Sequence, residues 1–192
     1  MSNSINIGVS GKEGSFSEEA ALMYCQRENI KDYTLKYLVS VENVLSALDS
    51  GEINIGIFPI ENSNGGIVIE AVYAMAKHKF SIKKFFEIDV RQNLMALPGA
   101  STSEITVIAS HQQALRQCRM YLQRKWPGVD LKEWEDTAAA AKDLHDGKLP
   151  KTCAVIAAKQ AAKLYELDIL EEGIQDLKFN FTTFLAVEKI NE

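Results

Sequence analysis

Short apolar runs alternate with helical patterns along this chain, and that alternation points to an α/β fold with largely parallel sheets. Apolar runs begin at Ile5, Thr34, Ile55, Ser81, Asn93, Ile105, Val129, Cys153 and Thr182. Helical patterns are read over residues 20–28, 40–48, 67–77, 114–125, 138–145 and 157–165. The most constrained stretch is Ile55-Gly56-Ile57-Phe58-Pro59-Ile60-Glu61-Asn62-Ser63-Asn64-Gly65-Gly66. It starts as a buried strand, breaks at a proline, presents three polar side chains and passes a glycine pair into a helical pattern whose apolar face is Ile67, Val68, Ala71, Val72 and Met75. A strand, a polar elbow and a helix N-terminus together make an anion site. The same residues also read as an ordinary strand-to-helix turn capped by Asn and Ser, and the stretch alone leaves both readings open.

At 192 residues the chain is one large domain or two small lobes. The extended region around residues 85–97 is the natural crossing between lobes, with a return just before Asn180. That division gives one lobe of about residues 1–88 and 176–192 and a second of about 89–175. A net charge of −5 argues against nucleic-acid and anionic-membrane partners, so an anionic substrate needs a local positive field. No segment approaches the ~20 apolar residues of a membrane span, and residues 1–6 lack the features of a signal peptide. Cys25, Cys118 and Cys153 are odd in number and far apart, which fits a reduced compartment with no zinc or disulfide framework. The cytoplasm is the expected location, and no metal or cofactor is expected.

Five strand ends carry small polar residues: Ser15/Ser17, Glu61-Asn62-Ser63, Ser110-His111, Asp136-Thr137 and Thr182-Thr183. Open parallel sheets bind ligands beyond the carboxyl ends of their strands. Five such ends imply a pocket lined with hydroxyls, amides and helix N-termini, suited to a small carboxylated molecule. Five ordinary caps or turns are the alternative. His78, His111 and His145 have no metal-ligand spacing, and the run 138–141 of alanines reads as close helix packing.

Four motifs in order then resemble the prephenate dehydratase catalytic domain, over nearly the whole chain. The family's early G-x-x-G-[ST]-[FY]-[ST] loop stands at Gly11, Gly14, Ser15, Phe16 and Ser17. Its P-I-E-N-S-x-x-G-x-V signature is complete from Pro59 to Val68, and its S-H-x-Q-A-L-x-Q-C segment from Ser110 to Cys118. A T-A-x-A-A segment starts at Thr137. The closing N-x-T-R-F motif reads Asn180-Phe181-Thr182-Thr183-Phe184, with threonine in place of arginine, and Arg91-Gln92-Asn93 stands where the family usually has a histidine.

The resemblance implies two α/β lobes like type II periplasmic binding proteins, with prephenate in an interlobe cleft. It also leads to the expectation of a catalytic domain without the regulatory ACT domain, and of a homodimer. Thr182 is implied as the donor to the leaving hydroxyl. Ser15, Asn62, Ser63, Ser110, Gln117, Thr137, Thr183 and Phe184 are implied around the substrate, supported by Glu61 and Arg91. Lys12, Arg91 and Lys178 are candidates to replace the missing arginine. Two other outcomes stay open: a non-aromatising prephenate decarboxylase, and a binding protein that keeps the cleft without efficient chemistry.

Overall fold

The computed structural model describes residues 4–190. The chain forms two compact units, each built on one sheet. One takes the chain up to Asp89 and again from Phe181, and the other is Val90–Asn180.

The first unit opens with β1 (Ile5–Val9), α1 (Phe16–Arg27), β2 (Tyr33–Tyr37) and α2 (Val41–Ser50). It continues with β3 (Ile55–Asn62), β4 (Gly66–Ile67), α3 (Ile69–Met75) and β5 (Ser81–Asp89), and closes with the last strand of the chain, β11 (Phe181–Glu188). The sheet order is β2-β1-β3-β11-β5, with β4 folded back on β3. Helix α2 forms where expected. Ser40 accepts from the Asn43 N–H at 3.1 Å, and Gly51 ends the helix in the left-handed region at φ 77°. Its buried Val41, Val44, Leu45 and Leu48 recur at helical spacing. Gly56 lets α2 approach the sheet, since a Cβ there would lie 2.8 Å from a Val44 methyl.

The second unit holds β6 (Asn93–Ala96), β7 (Val107–Ser110), α4 (Gln112–Gln117), α5 (Arg119–Lys125) and β8 (Asp130–Glu133). It continues with α6 (Thr137–His145), β9 (Cys153–Ala157), α7 (Lys159–Leu164) and β10 (Asp168–Glu171). Its sheet order is β10-β6-β9-β7-β8. Leu94, Ile108 and Ile156 pack under α4 and α5, while Met95, Ala109 and Val155 pack under α6. The expected close packing of the alanine run is present, for Ala138–Ala141 are all buried.

Both sheets are mixed. β1 is parallel to β2 and β3, and β7 is parallel to β8 and β9. β6 runs antiparallel to both β10 and β9, and β11 runs antiparallel to both β3 and β5. Several expectations change in detail. Residues 114–125 are not one helix: the chain breaks at Cys118, where the Asp176 carboxylate takes the Met120 and Tyr121 N–H groups at 2.8 and 2.9 Å. That contact also holds Asp176 in the second unit, so the return crossing falls after Asn180, not at residue 176. The glycine pair Gly65-Gly66 does not open a helix. It closes a tight hairpin between β3 and β4, with Gly66 at φ 78°. The helix that follows is shorter than expected and buries Ala71 and Ala74, while Ile67, Ile69, Val72 and Tyr73 are exposed.

An ion cluster ties the segment after α3 to both ends of α2. His78 Nδ1 lies 2.6 Å from Asp49 and Nε2 lies 3.2 Å from Glu42, which also takes Lys77 at 3.0 Å. The hydrogen bond to Asp49 raises the His78 pKa above 6.5; partial desolvation opposes it and Glu42 adds to it. A folded-state pKa above the unfolded one means stability that is fully present below about pH 6.5 and lost as pH rises through the folded value. Urea denaturation of the wild type and His78→Gln should therefore show the largest stability difference in mildly acidic buffer and a shrinking one above neutrality. A difference that grew with pH would contradict this arrangement.

Candidate active site

In the first unit the site starts from the side chain of Asn62, at the carboxyl end of β3. Its Oδ1 accepts from the N–H groups of Asn64 and Gly65 at 3.0 and 2.8 Å, which forms the hairpin turn. Its Nδ2 donates to the Phe181 carbonyl at 3.2 Å and to Thr182 Oγ1 at 2.9 Å, at the start of β11. Ser63 adds a two-way clasp. Its N–H donates to the Phe181 carbonyl at 2.8 Å, and its hydroxyl accepts from the Phe181 N–H at 3.0 Å. Asn62 and Ser63 are thus tied to β11, and the Asn-Ser pair of the signature serves to hold Thr182. Thr182 stands at the amino end of its strand, not a carboxyl end. β11 is antiparallel to β3, which still puts Thr182 opposite Asn62. Because Asn62 Nδ2 can only donate, Thr182 Oγ1 is the acceptor in that bond, and its own proton is directed elsewhere. Thr182 is buried.

Strands β1, β3 and β11 are consecutive in the sheet, so the loop after β1 reaches the same sheet end. Ser15 is the N-cap of α1 and accepts from the Glu18 N–H at 3.4 Å. Glu18 reaches back to the Gly14 N–H at 2.5 Å and takes the Tyr37 hydroxyl at 2.8 Å, so a buried carboxylate fixes the loop. Gly11 is required here, since a Cβ would lie 2.4 Å from Ser15 Oγ.

Thr183 and Phe184 both make contacts within the sheet of the first unit. Thr183 follows Thr182 along a strand and so faces the other side of the sheet. There it pairs in register with Glu61 on β3 and Glu87 on β5, and its hydroxyl donates to Glu87 at 3.4 Å. Phe184 is core: it is 1% exposed and stacks on Phe86 at 5.9 Å. The family arginine at position 183 would thus meet two carboxylates away from Thr182. Lack of that arginine removes no cation from the Thr182 face.

In the second unit, Ser110 ends β7, is fully buried and donates to the Ile156 carbonyl at 2.6 Å. Thr137 opens α6, but Asp136 caps that helix by accepting from the Ala139 N–H at 2.6 Å. A carboxylate already stands at this helix N-terminus, which disfavours a second anion there. Gln117 Oε1 accepts from Gln92 Nε2 at 3.0 Å and from Asn180 Nδ2 at 3.1 Å. Arg91 is exposed, one residue into this unit. Sequence reasoning named Gln117 and missed its partner Gln92. The signal was the departure from the family histidine, which attention to Arg91 obscured.

A family model described as prephenate dehydratase matches residues 7–192. The chain is 32% identical over 183 residues to the bifunctional chorismate mutase/prephenate dehydratase of Stutzerimonas stutzeri, covering 95% of this chain and 48% of that protein. It is 33% identical over 190 residues to arogenate dehydratase 5, chloroplastic, of Arabidopsis thaliana, covering 97% of this chain and 43% of that one. Among solved structures it is similar to the prephenate dehydratase in complex with L-Phe from Arthrobacter aurescens. The TM-score is 0.88 at 28% identity, over 98% of this chain and 61% of that one. The chain spans about half the length of the curated relatives it matches.

Restoring the arginine tests the placement of position 183. Thr183→Arg should bridge Glu61 and Glu87 and raise the unfolding free energy by about 0.2–1 kcal/mol, a gain that fades in high salt. Ligand affinity should stay unchanged; tighter binding of a dicarboxylate in calorimetry would place position 183 at the ligand instead.

Proposed function

The chain belongs to the prephenate dehydratase family, and from that premise we propose that it converts prephenate to phenylpyruvate, the step that makes the ring of phenylalanine. The observation that carries the reading is the Thr182 hydroxyl, which accepts from the Asn62 amide and so keeps its own proton for another partner. Prephenate loses its ring carboxylate as carbon dioxide, the bonding electrons pass into the ring, and hydroxide leaves from the opposite carbon. Aromatisation drives the reaction, so the protein has to orient the ring and ease departure of the hydroxide. Threonine is a weak acid, and its part is best described as a positioned hydrogen bond that strengthens as the carbon–oxygen bond breaks.

The α1 N-terminus with Ser15 stands at the same sheet end as Thr182 and supports binding of an anionic group in the first unit. Gln117 supports it in the second, with Ser110 and Thr137 as framework residues of that unit. Asn62 and Ser63 act on Thr182 and on the backbone that carries it. The reading includes a homodimer working in the cytoplasm. The exposed Ile67, Ile69, Val72 and Tyr73 support a protein partner, and sedimentation of the purified chain tests it.

Incubation with prephenate and with its α-amino counterpart, arogenate, followed by mass identification of the products tests the reaction. Phenylpyruvate from prephenate is the expected result. A product that keeps its hydroxyl would assign a decarboxylase, and binding without turnover would assign a binding protein. Thr182→Val should lower kcat by ~10²-fold or more with little change in substrate affinity, because the shape stays and the donor goes. Thr182→Ser keeps the donor and should retain most of the rate. Equal rates in wild type and Thr182→Val would end the proposed role.

A further inference from the structure

The amides of Gln92, Gln117 and Asn180 form a relay whose polarity follows from one backbone carbonyl. Asn180 is fully buried, and its side chain lies 3.0 Å from the Val90 carbonyl. A carbonyl cannot donate, so the Asn180 nitrogen faces it. The same nitrogen lies 3.1 Å from the Gln117 amide, which therefore gives Asn180 its oxygen, while Gln117 Nε2 donates a longer bond to Asn180 Oδ1 at 3.5 Å. Gln92 approaches that oxygen at 3.0 Å and so presents its own nitrogen. Turning any one of the three amides over would set nitrogen against nitrogen or oxygen against oxygen.

The arrangement carries a cost. Gln92 is 4% exposed, and its Oε1 has no hydrogen-bond partner among the described residues. Its backbone is fixed as well: its N–H donates to Gln175 Oε1 at 3.0 Å, and its carbonyl accepts from the Ile174 N–H at 2.8 Å. The backbone of Gln92 is thus held on both sides, its side-chain nitrogen bonds Gln117, and its buried side-chain oxygen is left unmatched.

We infer that Gln92 and Asn180 are positioning residues that lock the Gln117 amide with its oxygen inward, so that Gln117 meets its ligand as a hydrogen-bond donor. This rests on the proposed reaction, in which Gln117 contacts an anionic substrate. A donor is what a carboxylate or keto oxygen requires, whereas an inverted Gln117 would oppose it with an oxygen.

A titratable replacement at Gln92 tests the lock. In Gln92→Glu the neutral carboxyl can donate to Gln117 Oε1 as the amide does, while the ionised form sets a negative oxygen against it. The groups that hydrogen-bond Gln92, namely Gln117 and Gln175, do not titrate. Arg91 and Asp176, its charged neighbours in sequence and across Gln175, are common to wild type and variant, so the wild-type profile is the reference. Burial without a cationic partner raises the carboxyl pKa toward neutrality. The measurement is kcat/KM for prephenate from about pH 5.5 to pH 8.5, corrected for spontaneous aromatisation. Gln92→Glu should approach the wild-type value at the acid end and fall by ~10-fold or more toward the alkaline end. Gln92→Met, which can never donate, should be lowered at every pH. In both cases the Gln117 side-chain amide signal, assigned by its loss in Gln117→Leu, should lose protection from hydrogen exchange whenever the donor is absent. A Gln92→Glu profile that superimposes on wild type, or on Gln92→Met, overturns the inference while leaving the proposed reaction intact. Unchanged exchange at Gln117 overturns it even if a variant is too unstable to assay. Lack of wild-type turnover overturns the reaction and this inference together.

Discussion

One carboxamide does most of the organising in the first unit. Asn62 closes the hairpin with its oxygen and holds the start of β11 with its nitrogen, so a turn and a strand 120 positions apart are fixed by the same planar group. A carboxylate at that position could accept from the turn but not donate to Thr182, and a hydroxyl could not reach both. Only an amide supplies two acceptor sites and two donors at opposite ends. The second unit repeats the device with different residues, since Asn180 faces both a backbone carbonyl and the oxygen of another side-chain amide. In each unit a buried amide sets the polarity of the group beside it.

Much of this was legible in the chain. Alternating apolar and helical patterns gave the α/β class, and Ser40, Gly51 and Asp136 marked helix ends where the structure has them. The family motifs marked Asn62, Gln117 and Thr182, which the structure places in hydrogen-bonded clusters. Other features were hidden for physical reasons. The hairpin after Asn62 reads like a helix start, because glycine pairs serve both and the following residues are apolar in either case. Strand direction has no local signature, so the antiparallel course of β11 emerged only with its partners. The break at Cys118 depends on a carboxylate from Asp176, and no helical pattern within residues 112–125 records it.

Position 183 shows how a motif can mislead when taken as a unit. Adjacent letters in a strand face opposite sides of the sheet, so Thr182 and Thr183 share a motif without sharing an environment. One meets an amide and the other two carboxylates. The substitution of arginine by threonine looked like damage to substrate binding while the motif was a string. In the sheet it is a change of surface charge between β3 and β5.

The place of β11 bears on how the molecule is made. This strand lies between β3 and β5, yet it leaves the ribosome only after the whole of the second unit. Residues 90–180 are contiguous and have their own sheet, so they can collapse as they emerge. The first unit waits with a gap at its centre, exposing the facing edges of β3 and β5 and the apolar surface that Phe184 and Leu185 later cover. Nascent chains stalled before residue 181 would be targets for chaperones, and the Thr182 hydroxyl would come into register with Asn62 only after the second unit has been made.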